Sequence, residues 1–135
     1  MFDYFDFERD YSEIVNTVSA NKTVKEAIKF ASGIRVLRQD PWEALCSFII
    51  SQNNNIPRIK GIIDRLCQNF GEKCGEYYTF PKAEVLANLT PEDLSPLRCG
   101  FRARYIIDAA KKVSSGEINL EELKNTDTDT ARAEL

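Results

Sequence analysis

Two short stretches of this 135-residue chain carry side chains whose types and spacing could do chemistry. The first is Ser51-Gln52-Asn53-Asn54-Asn55-Ile56-Pro57-Arg58, a polar turn closed by the start of a helix. An asparagine amide donates and accepts, so it can match the mixed edge of a nucleobase; it also caps helices and tolerates left-handed backbone. Three in a row exceed what one turn requires, and the sequence leaves both readings open. The second is Arg98-Cys99-Gly100-Phe101-Arg102-Ala103-Arg104-Tyr105, in which a glycine turn precedes an aromatic ring and a guanidinium at a helix start. An aromatic wedge beside arginines is the equipment of proteins that unstack and kink duplexes: the ring opens a base step while the guanidinium meets exposed acceptors or phosphate. The bland alternative is a buried Phe101 with solvated arginines.

The elements that must position these stretches are helical. Tyr11, Ile14, Val15 and Val18, then Val24, Ala27, Ile28 and Ala31, repeat at i, i+3, i+4, i+7 and predict two amphipathic helices. A third helix is expected at about 41–52, capped by Asp40, with Pro41 in its first turn, Glu43 as box partner, and Trp42, Leu45, Cys46 and Ile49 turned inward. A fourth starts at Pro57 and carries the stripe Ile59, Ile62, Ile63, Leu66, Cys67 and Phe70, ending at Gly71 as a left-handed cap. Shorter helices are expected near Pro81 and at Thr90-Pro91. A longer one runs from about 103 to 115 on Ile106, Ala109, Ala110 and Val113. All these stripes read as core. Residues 72–80 read as an irregular loop. The aromatic residues 1–7 alternate roughly and suit a short strand. Asp127 or Thr128 could cap a helix through Leu135, which is too short to stand alone. Both ends are therefore expected to continue into structure that these residues do not include.

Composition narrows the function classes. An apolar fraction of 43% with 10% aromatics suffices for one core. No stretch approaches the roughly 18 apolar residues of a membrane span, and Asp3 and Asp6 stand where a signal peptide would be basic, so a cytoplasmic protein is expected. The chain has no histidine, which excludes Ser-His and Cys-His nucleophile pairs and a mixed zinc site. Cys46, Cys67, Cys74 and Cys99 form no C-x-x-C pair and read as free thiols, so neither metal nor cofactor is expected. The net charge of −3 speaks against coating nucleic acid through bulk positive charge. Locally, residues 98–112 carry five basic side chains against Asp108, a balance of +4, whereas residues 113–135 carry two basic and six acidic ones. A basic segment in an acidic chain suggests a local anionic contact, and a solvated helix face would look the same.

Three ordered motifs carry a resemblance. Gly33-Ile-Arg-Val-Leu-Arg-Gln-Asp-Pro-Trp42, then Phe48-Ile-Ile-Ser-Gln-Asn-Asn-Asn-Ile-Pro-Arg-Ile59, then Gly100-Phe-Arg-Ala-Arg-Tyr105 closely resemble the 8-oxoguanine DNA glycosylases of the helix-hairpin-helix superfamily. The likeness runs from about residue 4 to the last residue. It implies a mainly all-α fold: the helical glycosylase domain over 8–135, truncated before the helix-hairpin-helix, with 1–7 as the remnant of a missing N-terminal sheet domain. It implies a base-excision-repair glycosylase with abasic-site lyase activity that acts on double-stranded DNA containing 8-oxoguanine opposite cytosine. Asn53 would fill the place of the extruded base, Phe101 would act as wedge, and Arg58 and Arg102 would contact the cytosine left behind. Chemistry favours that assignment, because an unpaired cytosine exposes N3 and O2 as adjacent acceptors and a guanidinium offers only donors. The wedge is usually tyrosine in the family, and phenylalanine keeps the ring without the hydroxyl.

The resemblance also implies that the glycine-rich hairpin and the lysine that forms the Schiff base lie outside these residues, so this chain alone is expected to be inactive and to hold no catalytic residue. Exposed apolar surface at the missing parts would favour association. A non-catalytic module for damaged DNA and a helical protein-interaction domain are the alternative readings.

Overall fold

The computed structural model describes residues 2–134 and is mainly helical. Eight α-helices are present among the described residues: α1 (Ser12–Val18), α2 (Lys22–Phe30), α3 (Pro41–Ser51), α4 (Ile56–Phe70), α5 (Ala83–Ala87), α6 (Arg102–Ser114), α7 (Leu120–Leu123) and α8 (Thr128–Glu134). Strands β1 (Lys73–Cys74) and β2 (Tyr77–Tyr78) make a two-residue antiparallel hairpin, with Lys73 opposite Tyr78 and Cys74 opposite Tyr77. No helix among the described residues is long and apolar enough to cross a membrane. The chain divides between Gln39 and Asp40 into two compact units.

In the second unit the helix starts follow the local chemistry of the sequence. Asp40 accepts from the Glu43 amide at 2.9 Å and Pro41 opens α3. Asn55 caps α4 by accepting from the Arg58 amide at 3.0 Å. Asp127 accepts from the amides of Asp129 and Thr130, both at 3.1 Å, at the head of α8; Leu135, where that helix was expected to end, lies outside the described residues. The stripes of α3, α4 and α6 meet in one core: Cys46 and Ile50, Ile62 and Leu66, and Ile106, Ile107 and Ala110, joined by Leu86, Leu94, Leu97 and Cys99. Trp42 packs at its edge and donates its indole N–H to the Pro81 carbonyl at 2.9 Å. All four cysteines are free, with Cys46 and Cys99 buried and both thiols pushed up, first of all by desolvation.

Several expectations are corrected. The alternating aromatics at the N-terminus form turns instead of a strand: the Asp6 amide bonds the Asp3 carbonyl at 2.9 Å and the Phe7 amide bonds the Phe2 carbonyl at 3.2 Å. Backbone donors spent within the segment are not available to a ladder, and Met1 lies outside the described residues. The stripes of α1 and α2 do not form a buried core, since Val18, Val24 and Ala27 are exposed and Ile14, Val15 and Ile28 only half-buried. Gly71 is extended at φ −84° rather than left-handed. Its lack of a side chain has another cause: a Cβ there would lie 1.9 Å from the Thr79 carbonyl oxygen and 2.6 Å from that of Cys67. No α-helix starts at Thr90-Pro91. The Asp93 carboxylate instead accepts from the Thr90 amide and hydroxyl, both at 2.8 Å, which closes a turn leading to the 3₁₀ turn Ser95–Leu97. The loop expected at 72–80 contains the hairpin, whose turn uses Gly75 at φ +63°.

Candidate nucleic-acid interface

The three asparagines divide their labour. Asn54 donates its amide to the Ile50 carbonyl at 3.0 Å, closing the end of α3, and Asn55 caps α4. Capping therefore accounts for two of them. Asn53 precedes them, exposed, at φ +47°, and its side-chain amide has no hydrogen-bond partner among the described residues. A left-handed backbone turns that amide away from the ladders on either side, at a strain that asparagine bears better than most residues.

The second stretch reverses direction through two left-handed residues, Arg98 at φ +54° and Gly100 at φ +61°, before α6 begins. Phe101 sits at the helix N-cap, 55% exposed. The expectation of a presented ring and the alternative of a buried one are separated by that figure. Tyr105, one turn on, meets it edge to face with centroids 6.2 Å apart.

The arginines differ sharply. Arg58 is exposed and spends one bond, Nη2 to the Arg98 carbonyl at 3.3 Å. Arg102, expected beside it on the surface, is 3% exposed. Its Nε and Nη2 both donate to the Gln52 carbonyl, Nη2 donates to the Asn53 carbonyl at 3.0 Å, and Nη1 donates to the Cys99 carbonyl at 3.3 Å. Four of five guanidinium N–H groups are thereby spent on the backbone of the two loops, and the cation lies 4.7 Å from the Phe101 ring centroid. Arg102 thus joins the asparagine turn to the aromatic turn from within the core, and Arg58 adds one bond between the two stretches from the surface. In the structure position 102 leads the buried face 102, 103, 106, 107 and 110 of α6, one turn before Ile106 of the predicted stripe.

Beside Phe101 opens an apolar cleft of about 500 Å³, lined among others by Leu45, Phe48, Ile49, Tyr105 and Ile118, with Phe48 66% exposed. What the two loops offer jointly is an unspent amide, a bare ring and a partly free guanidinium at one place. That combination suits a base step with a vacancy.

The chain is similar to known DNA repair proteins. Residues 46–133 match the model of the HhH-GPD superfamily base excision DNA repair proteins, and the chain belongs to that superfamily. Its first 45 residues match the model of the 8-oxoguanine DNA glycosylase N-terminal domain, which places it with the 8-oxoguanine DNA glycosylases. An N-glycosylase/DNA lyase of Saccharomyces cerevisiae is 46% identical over 87 residues, covering 60% of this chain and 23% of the yeast protein. The solved structure of MBOgg1 in complex with a low-affinity DNA ligand is similar with a TM-score of 0.85 and 54% identity, over 98% of this chain and 47% of that one. The Clostridium acetobutylicum 8-oxoguanine glycosylase/lyase, solved with double-stranded DNA containing cytosine opposite 8-oxoguanine, is similar with a TM-score of 0.86 and 40% identity, over 98% and 47%. The chain thus spans about half the length of these solved relatives.

Proposed function

We propose that this chain supplies the opposite-strand recognition and wedge surface of a base-excision-repair DNA glycosylase and abasic-site lyase that removes 8-oxoguanine opposite cytosine inside the cell. The observation that carries the reading is the pairing of an unspent, exposed Asn53 amide with the exposed Phe101 ring on two loops tied by the buried Arg102 guanidinium. In this reading Phe101 enters the base stack, Asn53 takes the vacated position, and Arg58 donates to N3 and O2 of the unpaired cytosine. Arg102 reaches the same cytosine with the single N–H that its carbonyl bonds leave, so Arg58 should carry more of the opposite-base preference.

Glycosidic bond cleavage and the lyase step are assigned to the whole enzyme. By the resemblance, the lysine that forms the Schiff base belongs to a hairpin that these 135 residues do not include. Borohydride should therefore trap none of this chain on DNA containing 8-oxoguanine, and a trapped adduct would refute that assignment.

The test of the reading is fluorescence anisotropy against a duplex carrying an abasic-site analogue opposite cytosine, with the undamaged duplex as control, at two salt concentrations. Tighter binding to the damaged duplex is expected at both, with the salt-dependent part common to the two duplexes. Equal binding to both would remove the basis for the reading. A second reading, a helical protein-interaction domain, draws support from the apolar cleft and the exposed Phe48. It would gain if Asn53→Ala and Arg102→Ala changed stability and left DNA binding unaltered.

A further inference from the structure

Three guanidiniums converge on three consecutive carbonyls beneath the wedge turn. The 3₁₀ turn Ser95–Leu97 is followed by left-handed Arg98 and Gly100, a path that takes the carbonyls of residues 97–99 out of any regular ladder. Each accepts from an arginine instead: Leu97 from Arg65 Nε at 3.1 Å and Nη2 at 2.9 Å, Arg98 from Arg58 Nη2 at 3.3 Å, and Cys99 from Arg102 Nη1 at 3.3 Å. Arg58 and Arg65 stand two turns apart on one face of α4, so a single helix reaches the consecutive Leu97 and Arg98 carbonyls. Room for the second guanidinium comes from Gly61, one turn earlier, where a Cβ would lie 3.2 Å from Arg65 Nη1.

Arg65 differs from the other two, because Arg102 spreads its donors over three carbonyls and Arg58 makes a single bond, whereas Arg65 commits both bonded donors to the one carbonyl of the fully buried Leu97. We propose that Arg65 is a positioning residue: it fixes the backbone at Leu97 so that the left-handed turn through Arg98 and Gly100 holds Phe101 presented before DNA arrives. This rests on the reading of Phe101 as the wedge. The physical basis is a charge-assisted, forked hydrogen bond set against two sparsely populated backbone conformations, one at a residue with a Cβ. A lysine offers a point charge and reproduces half of the fork.

The experiment places 2-aminopurine next to an abasic-site analogue and follows its fluorescence as the full 135-residue chain binds, since insertion of a ring unstacks the probe. At saturating protein the parent chain brightens the probe; Arg65→Leu is expected to lose roughly tenfold of that brightening, and Arg65→Lys to recover part of it. The salt slope of binding should stay that of the parent, because Arg65 faces a carbonyl. A slope lower by about one charge would make it a phosphate contact, and brightening equal to the parent would show that the turn does not need it; either result overturns the proposal. Amide exchange in the free chain separates this from the wedge reading: amides 98–101 should exchange roughly tenfold faster in Arg65→Leu, with those of α4 unchanged. Unaltered exchange overturns the proposal whatever happens on DNA, whereas faster exchange with a parent chain that never brightens the probe overturns the wedge reading and leaves Arg65 holding the turn. Should Arg65→Leu fail to fold, Arg65→Lys decides by the same two signals.

Discussion

The two compact units are held by different physics. From Asp40 onward, helices α3, α4 and α6 bury a continuous apolar cluster, and the candidate interface is built on the ends of those helices. Before Asp40, the one buried residue among those described is Asp6, at 4% exposure and φ +53°. Its carboxylate meets Arg38 Nε at 2.9 Å and accepts from the Tyr11 hydroxyl at 2.9 Å. Arg35 donates to the carbonyls of Asp6 and Arg9 and lies 4.6 Å from the Tyr11 ring centroid. One unit is ordered by burial of aliphatic surface; the other is organised around one carboxylate and two arginines. The lesson is that precision at the interface comes from the first kind of order, because interdigitated side chains fix helix ends to fractions of an ångström.

That contrast can be broken at several points. Leu66→Ala removes a fully buried side chain at the centre of the aliphatic unit and should cost about 3 kcal/mol, read as a shift of the urea midpoint without change in slope. Arg102→Met keeps the apolar stem but strands the Gln52, Asn53 and Cys99 carbonyls. A loss of about 2 kcal/mol is expected, together with loss of selective DNA binding, since both loops lose their common tie. Asp6→Asn removes the charge while tolerating the left-handed backbone. It should loosen residues 2–39 by about 1 kcal/mol in amide exchange and leave the exchange of α4 and α6 untouched. A matching change in α4 would mean that the two units do not have separate sources of order. Asn53→Gly should leave stability within about 0.5 kcal/mol, because glycine accepts φ +47° freely, while reducing discrimination between damaged and intact duplex.

Much of the second unit was legible because its signals are local and repeat. The cap-and-proline starts of α3 and α4 and the aliphatic stripes of α3, α4 and α6 each require only a few neighbouring residues to agree. The first unit was misjudged for the same reason: stripes on α1 and α2 promised burial that depends on a packing partner, which periodicity does not supply. At the interface, residue type drew notice to the asparagine run and to Phe101, the resemblance singled out Asn53, and the structure adds which asparagine side chain is left unspent. Arg102 and Arg65 were harder, since an arginine is exposed by default and its burial follows from carbonyls brought from 49–50 and 32 residues away in sequence. Gly71 shows the limit plainly. Glycine after a helix suggests a left-handed cap, and only the approach of Thr79 reveals a position where no side chain fits.

The central claim is that the asparagine turn and the aromatic turn act as one damage-recognising surface. A double-mutant cycle of Asn53→Gly and Phe101→Ala, measured by anisotropy on the duplex with an abasic-site analogue opposite cytosine and on the undamaged duplex, tests it most directly. The account predicts that each single change lowers the damaged-to-intact affinity ratio by roughly tenfold or more, and that the double change costs clearly less than the sum in free energy. Selectivity untouched by both single changes would contradict it.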